Sequence, residues 1–526
     1  MHPTHPRARR RRKDLPAGRR TAAGLTAVLT AAASLALAAP AHADPQDNAP
    51  EHTHDRAGWP DRHDRHDRSL PDRVTAWRIE RHMANLATIA RYNGGNRASG
   101  TPGYDVAALY VENQLERAGY EPYRDTYEYT AWEELSDAVL SRTGSDPVGY
   151  EVGTDYISMA YSAAGDVTAP AVAVDADSGD SGCTPEDFAG FPEGAIAITV
   201  RGACSFALKT QNAADAGAAA VLVVNSADEV FSGTVSTPSE IPVLGVSGAA
   251  GAPLLAAGEG LELRVAVDSL TETRESFNVI AETEGGSGDN VVVAGGHLDS
   301  VEEGAGVNDN GSGVAFLLES AIQLARQDDP NNKVRFAFWG TEESGLVGST
   351  EYVEGLSAEQ VDDIALYLNF DMIGSHNYAR FVLDGGMELP GSGQAPSGSG
   401  AIAQVFAEYF EDRGQVSEPG VLSGRSDYAP FAQAGIPVGG LFSGADGVKT
   451  EEQVEWYGGV AGETFDPYYH TAEDTLANVN RDSLDELSDA GAHGIEFFAE
   501  STLPVNGVLR RAAGPEFARL GQEWLR

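Results

Sequence analysis

Three stretches decide the fold: NVVVAGGHLDS at residues 290–300, KVRFAFWGTEESG at 333–345 and IALYLNFDMIG at 364–374. Each opens as a short, unbroken apolar run, the pattern of a strand buried on both faces in a parallel sheet. Each then delivers polar side chains where the run stops: His297 and Asp299, Glu342 and Glu343, and Asp371. Between the first two lies GVNDNGSG (306–313), which leads into a helical stretch from Val314 to Arg326. Strands alternating with helices predict an α/β fold, a mixed and largely parallel sheet flanked by helices on both faces. In such sheets ligands bind at the carboxyl ends of the strands.

His297, Asp299, Asp309, Glu342, Glu343 and Asp371 would converge on that edge. One imidazole and five carboxylates cannot sit together without cations, because like charges disfavour the ionised forms. Histidine with carboxylates suits zinc, and a carboxylate shared between ions suits a co-catalytic pair. A second imidazole should complete the set, and the loop FDPYYHT (465–471) supplies His470. Taken singly, each piece has an ordinary reading: a hydrogen-bonded strand-end His, a solvated Glu-Glu turn, an Asp-Asn-Gly turn. Their order, each at a strand end, points to a metal centre.

Outward from this core, the 526-residue chain is too long for one domain at roughly 150 residues each. Its formal charge of -43 excludes a basic nucleic-acid footprint. Hydrophobic residues at 42% and charged residues at 22% are ordinary for a globular protein. The N-terminus has a basic segment (Arg7 to Arg20), an Ala/Leu-rich segment (Thr21 to Ala39) and Ala41-His42-Ala43. That order predicts a signal peptide over 1–43, hence secretion, with no membrane span in the mature form. Residues 44–72 read as a disordered linker or pro-segment, and 506–526 as a C-terminal tail. Helical spacing marks Arg73 to Tyr92 and Tyr104 to Ala118, and strand character marks Glu121 to Tyr129.

From 148 to 267 the texture changes to short Val/Ile/Ala strands between Gly, Pro and Asp turns, with one helix at Phe206 to Ala216. This predicts a small, barrel-like α/β unit without a cluster of ligand residues. Cys183 and Cys204 are the two cysteines; in an exported protein they form one disulfide or remain two buried thiols. The segment GCTPEDFAGFPEGAIAITVRGACSFALKTQNAADAGAAAVLVVN (182–225) resembles the protease-associated (PA) domain. That resemblance implies a lid or substrate-access role and pairing of Cys183 with Cys204.

GGHLDSV, GVNDNGSG, FWGTEESGLVGS, NFDMIG and YYHTAEDT together resemble the secreted co-catalytic zinc aminopeptidases of the bacterial leucyl aminopeptidase and aminopeptidase Y group. GGNRASGTPGYDVAALYVENQLERAGY (94–120) matches the N-terminal helical part of that family, and the likeness runs from about Trp77 to Glu500. It implies the phosphorylase/hydrolase-like fold, with a catalytic domain over 73–147 plus 268–505 and the PA domain inserted at 148–267. It implies two Zn2+ per chain, with Asp309 bridging, His297 and Asp371 completing one site, and Glu343 and His470 the other. Glu342 would be the general base to a metal-bridging hydroxide, Tyr469 would donate to the oxyanion, and Asp299 would orient His297. Arg425, in GRSDYAPF, would line the substrate site, and a cis peptide is expected at Asp309-Asn310. The implied substrates are peptides with a free N-terminus and a bulky hydrophobic first residue, cleaved by a monomer. Two rivals are a carboxypeptidase of the same fold, which needs an Arg/Asn cluster for the terminal carboxylate, and a receptor-like homologue without activity. Calcium near the acidic stretch Asp482 to Asp489 is an option that no spacing supports.

Overall fold

The structure, a computed structural model, describes residues 69–507 apart from 145, 146, 177 and 259. The expected signal peptide lies outside the described residues, as do most of the expected linker and tail. The chain is already packed at Leu70, whose side chain is buried and whose amide donates to Glu496 Oε1 at 2.8 Å.

Helix α1 (Ala76–Tyr92) turns Ile79, Met83, Leu86 and Ala90 inward at helical spacing. Helix α2 (Pro102–Ala118) starts at Thr101, whose side chain accepts from the Tyr104 amide. It stops at Gly119, in the left-handed conformation that glycine reaches without steric cost.

Strand β1 runs Tyr123–Arg142, well past the expected stop at Tyr129. The accessory region follows: β2 (Val148–Gly149), β3 (Tyr156–Ser158), β4 (Gly165–Ala173), β5 (Ile196–Val200), α3 (Phe206–Asp215), β6 (Ala220–Val224), β7 (Val243–Val246) and α4 (Gly248–Ala256). The long strand β8 (Glu262–Glu282) leads back and pairs antiparallel with β1, from Tyr123↔Ile280 to Arg142↔Leu263. This ribbon shifts register on either side of Ser136, where Glu134 to Asp137 are all exposed. The strand order β8-β4-β5-β6-β7-β3 builds the accessory sheet. It ends at β3 rather than closing into the expected barrel-like form, because β3 ladders with β7 alone. Cys183 and Cys204 form a disulfide there.

Beyond β8 the chain continues with β9 (Ser287–His297), α5 (Gly311–Leu324), β10 (Asn332–Trp339), α6 (Val347–Glu354), α7 (Ala358–Asp363) and β11 (Ile364–Phe370). Then come β12 (Phe381–Leu383), α8 (Ser399–Glu411), β13 (Glu418–Gly420), α9 (Tyr428–Gln433), β14 (Val438–Phe442), α10 (Glu451–Tyr457), α11 (Arg481–Glu500) and α12 (Leu503–Asn506). The sheet order is β13-β12-β14-β11-β9-β10-β8. Strands β14, β11, β9 and β10 are mutually parallel, whereas β8 opposes β10 and β12 opposes β14.

Alternation along the strands feeds two cores. Val292, Ala294, Phe336 and Leu368 pack under α1, α2, α5, α8 and α11. Val291, Val293, Trp339 and Tyr367 pack on the other face against Tyr352 of α6 and Phe431 of α9. Both faces are thus covered, as the continuous apolar runs require. Among the described residues no helix is long and apolar enough to cross a membrane.

Candidate metal centre

The central parallel strands end side by side, so His297, the Thr341-Glu342-Glu343 turn and Asp371 meet at one edge. The α5 N-terminus brings in Asp309, just ahead of a cis Asp309-Asn310 peptide bond. Asn310 fixes this corner: its side chain accepts from the amides of Gly313 and Met372 and donates to the Phe370 carbonyl. His470 comes from the loop before α11, at φ +58.

Asp309 faces both imidazoles. Its Oδ1 stands 3.1 Å from His297 Nε2 and its Oδ2 3.2 Å from His470 Nε2. His297 Nε2 also lies 3.3 Å from Asp371 Oδ1, and His470 Nε2 lies 3.1 Å from Glu343 Oε2. His297, Asp309 and Glu343 offer atoms close enough to hold one ion, and so do His297, Glu342 and Asp371. Around Asp482 to Asp489, where calcium was considered, no such group of three occurs among the described residues.

Burial sets the electrostatics. It pushes the Glu342 carboxyl well above the usual range and raises Glu343 to about 7, with Asp309 adding to the second effect. Asp309 itself is held low: burial opposes this, but hydrogen bonds from His297 and His470 prevail. Both imidazoles are favoured as cations despite burial, His297 chiefly through Asp371 and Glu342, and His470, at about 10, through Asp309 and Glu343. Without a cation, protons must offset the clustered carboxylates.

His297, Asp309, Glu342, Glu343, Asp371, Arg425, Tyr469 and His470 all line one cavity of about 110 Å3. Arg425 pairs with Asp446 at 3.1 Å and its guanidinium reaches the Tyr469 hydroxyl at 3.5 Å. The Tyr469 ring stacks on His470 with centroids 3.8 Å apart. Asp299 sits behind the cavity wall. Its backbone carbonyl is 3.2 Å from His297 Nδ1 and its carboxylate 3.7 Å. The same carboxylate accepts the amides of Glu342 (3.2 Å) and Glu343 (3.3 Å), so it supports the glutamate turn as well as the imidazole.

Several supporting residues carried no signal of their own in the sequence. Asp474, within YYHTAEDT, accepts the amides of Asn308 and Asp309 at 2.8 and 3.0 Å, and burial raises its carboxyl to about 7. Ser426, beside Arg425, donates to Asp371 Oδ2 at 2.7 Å. Arg97, fully buried, donates to the carbonyls of Leu298, Ala305 and Gly306 and so clamps the Asp309 loop. Asp474, Ser426 and Arg97 all stood inside quoted motifs; only their contacts distinguish them from neighbours.

An α/β sheet that gathers ion-binding groups at its carboxyl edge is an architecture for metal-dependent chemistry. Comparison with known proteins narrows the class. The model for peptidase family M28 matches residues 278–494, and that for the PA domain matches 167–254. The chain is 44% identical over 455 residues to an aminopeptidase of Pseudomonas aeruginosa, covering 84% of each chain. It is 40% identical over 453 residues to the probable lipoprotein aminopeptidase LpqL of Mycobacterium tuberculosis, covering 84% of this chain and 88% of that one. The solved aminopeptidase from Aneurinibacillus sp. strain AM-1 matches at a TM-score of 0.67 and 25% identity, over 86% of this chain and 99% of that one. The chain belongs to peptidase family M28, with a PA domain inserted in its peptidase fold.

Proposed function

We propose that the protein is a zinc-dependent aminopeptidase that removes bulky hydrophobic residues from the N-terminus of peptides. The observation that carries this is Asp309, whose two carboxylate oxygens face different imidazoles across one cavity. The residues fit the metal. Glu343 Oε1 is buried without a hydrogen-bond partner, a costly state that a cation removes. Two imidazoles with carboxylates are a zinc donor set. His297, Asp371 and Asp309 would hold one ion, and Asp309, Glu343 and His470 a second. Zinc bound there supplies Lewis acidity, which polarises a carbonyl and acidifies water.

The protein groups do the rest. Glu342 accepts the proton of the attacking water and returns it to the leaving amine. The Tyr469 hydroxyl hydrogen-bonds the oxyanion and keeps its proton, with Arg425 beside it. Asp299 keeps the glutamate turn in place. Met372, Leu383, Val421, Leu441 and Phe442 line the rest of the cavity and suit an apolar side chain. Arg425 is the one Arg or Lys lining that cavity and is already paired with Asp446, so the cation cluster of a carboxypeptidase is missing among the described residues.

The same proposal includes export and a monomer with a catalytic domain over 73–147 plus 268–505 and the accessory domain over 148–267. The disulfide fits an oxidising compartment. The test is direct. Metal analysis should find about two zincs per chain, the occupancy of a co-catalytic site. Leucine p-nitroanilide should be cleaved and its N-acetyl derivative left intact. Cleavage of the blocked substrate, or trimming from the C-terminus, would overturn the assignment.

A further inference from the structure

The glutamate turn has a second support, and it comes from the accessory domain. Tyr161 lies in the segment between β3 and β4, and its hydroxyl reaches two carbonyl oxygens at 3.2 Å each. One belongs to Thr130 of β1. The other belongs to Ser344, the residue after Glu342-Glu343. One hydroxyl proton is shared between strand and turn.

Tyr161 is firmly held at its own end. Its backbone is at φ +67 and its carbonyl accepts the Ser239 amide at 2.9 Å and the Ser239 hydroxyl at 3.2 Å. Its ring belongs to an accessory-domain cluster with Met159, Phe231 and Val235. Trp132 of β1 packs on that cluster and donates from its indole to the Ser162 carbonyl at 2.8 Å.

The turn needs such support. Thr341, Gly345 and Leu346 all have positive φ, and only Gly345 is a glycine. Asp299 grips the turn from inside through the Glu342 and Glu343 amides. Tyr127 reaches Thr341 Oγ1 at 2.9 Å on its β1 side. Tyr161 holds the outer end, at Ser344. The β1–β8 ribbon that joins the domains shifts register and is exposed around Ser136. The Tyr161–Ser344 contact is a direct link beyond it.

We propose that Tyr161 is a positioning residue of the peptidase: through the Ser344 carbonyl, the PA domain sets the turn that carries Glu342 and Glu343. The inference rests on the roles assigned to those glutamates above. It gives the accessory domain a part in turnover itself, alike for short and long substrates, which a lid over the cavity does not have.

Tyr161→Phe keeps the ring in its cluster and removes the hydroxyl. On leucine p-nitroanilide, kcat should fall roughly fivefold, the size of one ordinary hydrogen bond, with KM within about twofold. The same factor should apply to a hexapeptide. In the metal-free protein, amide exchange of the 341–347 segment should speed up while that of 195–225 stays unchanged. Ser239→Ala, which loosens Tyr161 from behind, should give a smaller change of the same sign and serves if the first variant does not fold. Wild-type kcat, or unchanged exchange in 341–347, overturns the proposal. Glu342→Gln is the control. If it loses turnover while Tyr161→Phe does not, the inference fails and the glutamate assignment stands. If Glu342→Gln keeps turnover, the assignment itself fails.

Discussion

Glu342 and Glu343 are adjacent, yet their surroundings differ. Glu343 Oε2 lies 3.1 Å from His470 Nε2, whereas Glu342 groups with His297 and Asp371. Glu342→Gln keeps size and polarity but cannot accept a proton. Turnover should fall by roughly two to four orders of magnitude with zinc content near the wild-type value and a much smaller change in KM. Glu343→Gln should lose zinc along with rate. Metal analysis of both variants decides: zinc loss in the first and retention in the second would exchange the two roles. His297, Asp299, Glu342, Glu343 and Asp371 were legible because each follows a buried strand, where a polar group is conspicuous; Asp309, Tyr469, His470 and Arg425 lie in loops and were read from the motifs around them. Asp474, Ser426 and Arg97 were not, since they act through backbone amides, a neighbouring carboxylate and loop carbonyls far away in sequence. No periodicity reports such contacts. Arg425 was placed near the substrate, but its partner Asp446 could not be read from spacing.

At the level of elements, the buried parallel strands were readable because alternation is absent where both faces are covered. The length of β1 was not. From Glu134 to Asp137 its side chains turn to solvent before Ala138 and Leu140 enter the accessory core, and backbone pairing with β8 keeps it a strand. The loop after β14 hid another feature. Lys449 is buried and donates to the carbonyls of Tyr378 (2.7 Å) and Gly458 (2.8 Å), with the rings of Tyr378 and Tyr457 within 6 Å. Burial, and secondarily Arg380, lowers its pKa from 10.5 to about 8. The folded state therefore gives up this proton at lower pH than the unfolded chain does. Between about pH 8 and 10.5 the unfolded chain binds more protons, so this group's contribution to stability rises with pH. Below pH 8 the full cost of the buried ammonium applies. Lys449→Met should flatten that rise in urea unfolding measured from pH 7.5 to 10. Parallel pH profiles for the two proteins would show that the ammonium is not destabilised by its cage.

Across the whole molecule, the catalytic cores and the accessory cores are separate clusters joined by the β1–β8 ribbon. Zinc at the proposed site would touch only the first. A ligand that binds the folded state alone stabilises by mass action, about 4 kcal/mol at a thousandfold excess over Kd. Chelation should therefore lower the melting of the catalytic part by several degrees and leave the accessory transition in place. Calorimetry with and without chelator would show this; equal shifts of all the unfolding heat would mean that the halves melt as one. The division itself was visible as a change of texture, but not the contact at Ser344, because nothing local in the sequence marks Tyr161. The ribbon also bears on how the chain assembles. Tyr123 must find Ile280 across the entire accessory segment before the catalytic sheet gains its β1 edge. Closing a flexible loop of that length is slow and entropically costly. The accessory segment has apolar cores of its own, and Arg142 with Leu263 already pairs at its base. Once that segment has condensed, the two strands emerge side by side, and the remaining search is the short zippering of a hairpin rather than the closure of a long loop.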